Sequence, residues 1–242
     1  MTQKTAVIIG ASSGIGLALA RELHSRGYRL GLAARRTEIL NSLAVQLDGA
    51  VVAAMDVTQP DQAADAFDAL VRDLGGVDVV VISSGVGYLN KDLNFPQESH
   101  TIAVNVAGFT ALATAAYRYF AAQKRPGHLV GLSSVAAVRG SGGTPAYNAS
   151  KAFVVSYLEG LSQRAARRHP FITITDIRPG FIDTPMTRGQ KGMFWLATPE
   201  TAARQIAQAI EARKAVAYVP GRWRLVACLL KALPRWLYHK MG

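Results

Sequence analysis

The sequence predicts an α/β fold: a single-domain, doubly wound parallel sheet of about seven strands with helices on both faces. Three observations predict it. Short apolar runs alternate with amphipathic helical stretches from one end of the chain to the other, as crossover-connected parallel strands require. A glycine-rich turn joins the first run to the first helix. No internal repeat, linker or low-complexity tract divides the 242 residues, so one domain, 1–242, is the economical reading.

Taken in order, residues 5–10 (TAVIIG) form an apolar run fit for a buried parallel strand. Gly10-Ala-Ser-Ser-Gly14-Ile-Gly16 follows, then a helix with Leu17, Leu19, Ala20 and Leu23 on its apolar face and Gly27 as its stop. A strand, a glycine-rich turn and a helix N-terminus together make an anion cradle. The glycines permit a tight turn and close approach of a pyrophosphate. The G-x-x-x-G-x-G spacing differs from the commoner G-x-G-x-x-G fingerprint. Residues 28–36 (YRLGLAARR) read as a second strand. Where an acidic residue would mark a ribose hydroxyl, Ala34, Arg35 and Arg36 stand instead. Arginine there fits a 2′-phosphate, so the expected cofactor is NADP(H).

A helix over 37–48 leads to a third strand, 51–57, with Asp56 near its end. A helix over 60–74 leads to a fourth strand, 77–85. A helix over 99–122 carries Asn105, and a fifth strand over 128–134 delivers Ser134. The next helix, 147–168, carries Tyr147 and Lys151, and a sixth strand spans 172–180. A helix over 198–214 and a strand over 215–219 complete the pattern.

Composition narrows the function classes. Hydrophobic residues make up 50% and charged residues 18%, a globular balance. A single cysteine, Cys228, excludes an internal disulfide. No Cys/His cluster has metal-ligand spacing, so no metal is expected. The N-terminal stretch lacks the features of a secretory signal, and the expected location is cytoplasmic. The net charge of +11 suggests anionic partners. No basic stripe interleaved with aromatics marks a nucleic-acid surface, so nucleic acid is not expected.

Tyr147 and Lys151 are one helical turn apart on one face. A cation beside a phenol lowers a tyrosine pKa from its usual value of about 10, suiting it to general acid–base work. An amphipathic surface pair would show the same spacing. Ser134, at a strand's carboxyl end, lies where open α/β sheets bind ligands.

Six motifs, GASSGIG (10–16), MDV (55–57), VNVAG (104–108), LSS (132–134), YNASK (147–151) and RPGFIDT (178–184), occur in the order found in one family. Over nearly its whole length the chain resembles the short-chain dehydrogenases/reductases, NADP type. The resemblance implies a Rossmann-like domain in which Tyr147 exchanges a proton with the substrate oxygen. It implies that Lys151 lowers the phenol's pKa and holds the nicotinamide ribose, that Ser134 polarises the carbonyl, and that Asn105 supports a water-linked proton path. Gly10, Ser12, Ser13, Gly14, Ile15, Gly16, Arg35 and Arg36 would hold the adenosine and phosphates. Asp56 and Val57 would meet the adenine, and Ser84 and Gly85 would lie along the cofactor. Pro179, Gly180, Ile182 and Thr184 would fix the nicotinamide. One departure stands out: Ser83-Ser84-Gly85 replaces the family's usual Asn-Asn-Ala-Gly.

Residues 185–198 sit where the family places a lid. Met186, Met193, Phe194, Trp195 and Leu196 suggest an apolar roof, and a helix packed on the core is the alternative. The 221–242 tail mixes apolar residues with Arg222, Arg224, Lys231, Arg235 and Lys240. It fits an interfacial helix on an anionic membrane, a wall of the pocket or subunit contact, or a frayed extension. The expected activity interconverts a carbonyl and a secondary alcohol on an apolar or lipid-like substrate, in a homodimer or homotetramer. The alternatives are a 3-oxoacyl-thioester reductase and a non-catalytic dinucleotide-binding regulator.

Overall fold

A computed structural model describes residues 3–189 and 192–240. Seven parallel strands form one sheet in the order β3-β2-β1-β4-β5-β6-β7. They are β1 (Thr5–Ile9), β2 (Arg29–Ala34), β3 (Val51–Ala54), β4 (Val79–Ile82), β5 (Gly127–Leu132), β6 (Ile172–Pro179) and β7 (Val216–Val219). The strand order reverses between β1 and β4, which opens a crevice at their carboxyl ends.

Both faces of the sheet are covered, and this explains the unbroken apolar runs. Side chains alternate between two cores. Ala6, Ile8, Val79 and Val81 point to one; Val7, Ile9, Val80 and Ile82 point to the other. The first core is closed by α1 (Gly14–Ser25), α2 (Thr37–Gln46) and α7 (Pro199–Glu211) through Leu19, Leu23, Leu40, Leu43 and Ile206. The second is closed by α3 (Pro60–Asp73), α5 (Phe109–Gln123) and α6 (Pro145–Arg168) through Phe67, Leu70, Leu112, Phe120 and Leu158.

Two boundaries differ from expectation in ways that matter for the site. The helix expected over 99–122 begins earlier, as α4 (Phe95–Ile102), and widens into a π-helical turn over Ala103–Gly108 before α5. Asn94 caps α4 by accepting from Gln97 N, and Pro96 fits the first turn. The strand expected to deliver Ser134 ends at Leu132. Ser134 instead caps a short 3₁₀ turn, Val135–Val138, by accepting from Ala136 N at 3.0 Å.

The tail folds as α8 (Trp223–Ala232) and α9 (Arg235–Tyr238). The junction between them is held by Arg139, which donates to Leu233 O, and by Tyr238 OH, which donates to Gly140 O. Over its described residues, to Lys240, the tail is therefore docked rather than frayed.

His128, buried on β5, shares a 2.7 Å hydrogen bond with Thr175 Oγ1. Burial lowers its pKa to about 4, and Arg213 adds to the effect. Between about pH 4 and 6.5 the unfolded chain binds a proton that the native chain refuses, so stability falls as pH falls through that window. Burial of this group accounts for a loss of about 3 kcal/mol. We expect His128→Gln to flatten the acid limb of urea-unfolding midpoints between pH 6.5 and 4. An unchanged slope would place the acid sensitivity elsewhere.

Candidate active site

A cavity of about 570 Å³ opens at the carboxyl ends of β1, β4, β5 and β6. It is floored by the glycine turn. Gly10 has φ +92°, and a side chain there would lie 2.6 Å from Ser84 N. A side chain at Gly16 would lie 2.2 Å from Gly10 O. The turn is thus packed backbone to backbone on the loop after β4, which leaves its remaining surface open to a ligand. Gly10, Ser12, Ser13, Gly14 and Ile15 line the cavity, whereas Gly16 lies behind them.

At the β2 end, Arg35 and Arg36 both reach the cavity wall. They are not equivalent. Arg36 is tied to the turn, donating to Ser12 Oγ at 3.0 Å and Ser12 O at 3.3 Å. Arg35 is exposed and faces Asp56. Hydrogen bonds from Thr58 hold the Asp56 carboxyl below its ordinary value, with a smaller contribution from Arg35. Asp56 and Val57 line this end.

At the other end, Ser134, Tyr147 and Lys151 converge from the 3₁₀ turn and α6. The polar residues inside YNASK are scaffold. Asn148 Nδ2 donates to Ala136 O at 3.0 Å and Arg139 O at 2.7 Å, and Ser150 Oγ donates to Tyr147 O at 2.7 Å. Glu98 accepts from Ala146 N at 3.0 Å, placing a carboxylate at the N-terminus of α6. Pro179, Gly180, Ile182 and Thr184 lie on the facing wall.

The electrostatics differ from the spacing argument. Burial pushes the Tyr147 phenol up, and a hydrogen bond with Ser134 works against that rise. Lys151 Nζ does not hold the phenol down. It lies 5.8 Å from the Tyr147 ring centroid and donates to Leu132 O at 3.0 Å. Burial lowers Lys151 itself to about 8, with Asp176 opposing. Burial, not the neighbouring ammonium, is the larger influence on the phenol.

Asn105 does not line the cavity. Its Oδ1 accepts from Val86 N at 2.9 Å, and its Nδ2 donates to Val86 O at 2.8 Å and Ser150 Oγ at 3.0 Å. The side chain is committed to clamping the loop 83–87 onto α6. In that loop Ser84 Oγ is buried and has no hydrogen-bond partner among the described residues, while Ser84 and Gly85 line the cavity. An unpartnered hydroxyl in a cleft, across from a glycine cradle, fits a polar ligand such as a dinucleotide.

The sequence reading missed Asp176. It is buried, accepts from Ser133 Oγ, and accepts from Arg178 Nε at 2.6 Å. Through Ser133 this network adjoins Ser134, and Asp176 opposes the burial-driven fall at Lys151. A carboxylate inside the apolar run ITITDI was its only sequence signal.

The lid residues divide. Met186 lines the cavity, while Phe194 stacks on Trp223 at 5.0 Å and meets Phe181 edge-on at 5.9 Å. Trp195 and Leu196 are exposed, and neither they nor Phe194 is among the residues that line the cavity. Among its described residues the segment is turns and extended chain, not a core-packed helix; Gln190 and Lys191 lie outside the described residues. Trp223 backs directly onto Gly180, one layer behind the wall. Among the described residues no cluster of three or more His, Cys, Asp or Glu side chains could hold a metal.

A family model described as short chain dehydrogenase matches residues 4–193. An uncharacterized oxidoreductase of Myxococcus xanthus is 38% identical over 193 residues, 77% of this chain and 75% of its own. An uncharacterized oxidoreductase of Mycobacterium tuberculosis is 33% identical over 246 residues, covering 97% and 95%. A short chain dehydrogenase/reductase from Burkholderia phymatum, solved in complex with NAD, superposes with a TM-score of 0.83 at 22% identity, covering 94% of this chain and 92% of that one. A 3-ketoacyl-(acyl-carrier-protein) reductase from Brucella melitensis, complexed with NADH, gives 0.80 at 23%, covering 89% and 95%. These two likenesses concern the fold alone.

Proposed function

The chain belongs to the short-chain dehydrogenase family, and on that premise we propose that it is an NADP(H)-dependent oxidoreductase interconverting a carbonyl and a secondary alcohol. The observation that carries this reading is the meeting of Ser134, Tyr147 and Lys151 in one cavity with a glycine cradle. The cofactor supplies the hydride. The chain supplies position and the proton. Ser134 and Tyr147 hydroxyls hold the carbonyl oxygen, and Tyr147, kept neutral by burial, donates its proton as the alcohol forms. The hydrogen bond from Ser134 stabilises the phenolate left behind, and Lys151 holds the nicotinamide ribose. Asn105 acts by fixing Val86, and through it the wall formed by Ser84 and Gly85. Val86, Tyr88 and Met186 give the substrate end an apolar character, which favours an apolar or lipid-like carbonyl.

The preference for NADP(H) rests on Arg35, since Arg36 is already engaged with Ser12. We expect Arg35→Ser to weaken NADPH binding about tenfold, equivalent to about 1.4 kcal/mol, and to leave NADH binding roughly unchanged. Fluorescence titration of both reduced cofactors reads this. Equal losses for both would remove Arg35 from phosphate recognition. We further propose a cytoplasmic location. A homodimer or homotetramer would form through α5 and α6, where partly exposed Phe153 stacks on Tyr157 at 5.6 Å.

The reading as a whole is tested by NADPH oxidation with a panel of apolar ketones and an acetoacetyl thioester. Turnover of an apolar ketone supports it, and thioester turnover alone would shift it to a 3-oxoacyl-thioester reductase. Tight NADPH binding without turnover of any carbonyl would favour a dinucleotide-binding regulator.

A further inference from the structure

We propose that α8 and α9 form a docking surface for an anionic lipid membrane. Helix α8 is apolar on two opposite faces. Trp223, Val226 and Ala227 are turned inward, against Val135, Val138, Phe181 and Tyr218. The opposite face carries Leu225 and Leu229, one turn apart and 72% and 64% exposed. Trp236 on α9 adds an indole that is 65% exposed. Leu225 and Leu229 are open to solvent, and Trp236 has Lys240 Nζ over its ring, 5.8 Å from the centroid. A helix held on its inner face by a tryptophan, presenting leucines outward, has a second apolar face that requires an occupant.

Charge selects that occupant. Beyond Glu211 the chain has Arg213, Lys214, Arg222, Arg224, Lys231, Arg235 and Lys240, and no acidic side chain. Arg224 and Lys231, both exposed, run alongside the leucine stripe. A second copy meeting this face in a two-fold contact would bring like charges together. Nucleic acid would leave the leucines uncovered. An anionic lipid surface satisfies both features, with leucines and indole in the acyl boundary and the basic side chains among the headgroups. No described helix is long and apolar enough to cross a membrane, so the contact is interfacial.

The surface is rigidly placed beside the cavity. Arg139 fixes the α8–α9 junction by donating to Leu233 O, and Arg222 at the start of α8 donates to Trp195 O at 3.1 Å. Docking stands independently of the redox reading, because it can be read without any turnover.

The test is flotation of the full chain with vesicles of phosphatidylcholine alone, or of phosphatidylcholine with a third phosphatidylglycerol, at low and physiological salt. We expect co-flotation with the anionic vesicles, at least tenfold weaker association with the zwitterionic ones, and weakening by salt. Leu225→Gln with Leu229→Gln should lose at least tenfold. Arg224→Gln with Lys231→Gln should lose about 25-fold, on anionic vesicles only, at about fivefold per charge. An environment-sensitive dye on Cys228, the only cysteine and exposed on α8, should shift to the blue with anionic vesicles. The proposal is overturned by equal flotation with both vesicles, by full binding of the leucine variant, or by no flotation of the wild type. A wild-type oligomer that the leucine variant dissociates, without flotation, would assign this face to a second copy.

Discussion

Replacing Tyr147 with Phe is expected to lower kcat by about 10² to 10⁴, the range a positioned proton donor contributes. NADPH binding should stay roughly unchanged. The ring that Lys151 overlies remains, and only the hydroxyl linked to Ser134 is removed. The fold should hold, since one lost hydrogen bond costs about 1 kcal/mol. Single-turnover rates and cofactor titrations on the same preparation separate the two effects. Loss of NADPH binding together with rate would mean that Tyr147 is a cofactor support and not the proton donor.

The second expectation runs in opposite directions for activity and stability. Lys151 is buried, its pKa lowered from 10.5 to about 8. Below about pH 8 it is charged in both folded and unfolded chains, and the full burial penalty is felt. Between about 8 and 10.5 the unfolded chain holds a proton that the folded chain has released, so stability rises with pH through that window. The shift corresponds to about 3 kcal/mol. Lys151→Met therefore should abolish turnover yet stabilise the cofactor-free protein at pH 7 by about 2 kcal/mol, after subtracting the hydrogen bond to Leu132 O. The gap between the two proteins should close toward pH 10.5. Urea midpoints across that range measure it. A variant less stable than the wild type at pH 7 would show that the hydrogen bond outweighs the burial of charge.

Much of the fold was legible because parallel strands buried on both faces read as unbroken apolar runs, as in β1 and β4. The glycine turn was legible because its spacing reports a backbone requirement, met at Gly10 by φ +92° and contact with the loop after β4. The start of α4 was not legible: Phe95, 74% exposed, breaks the helical period at the first turn. Ser133 and Ser134 both line the cavity, and that Ser133 also binds Asp176 follows only from the register of β5 with β6. The Tyr147–Lys151 spacing fixed a shared face and said nothing about desolvation, which decides the direction of both pKa shifts. Asn105 sits in the expected motif, but its commitment to Val86 is tertiary and has no sequence signal. The exchange of asparagine for Ser84 was visible; the consequence, an unpartnered hydroxyl in the cavity wall, needed the packed loop.

The proposed reaction is hydride transfer between a nicotinamide and a carbonyl in the cavity of Ser134, Tyr147 and Lys151. Its most direct measurement uses NADPH deuterated at the transferred position, an apolar ketone, and mass analysis of the alcohol. One deuterium is expected on the carbinol carbon from the wild type, and almost no alcohol from Tyr147→Phe at equal NADPH occupancy. Alcohol formed without cofactor deuterium, or formed equally by both proteins, would contradict it.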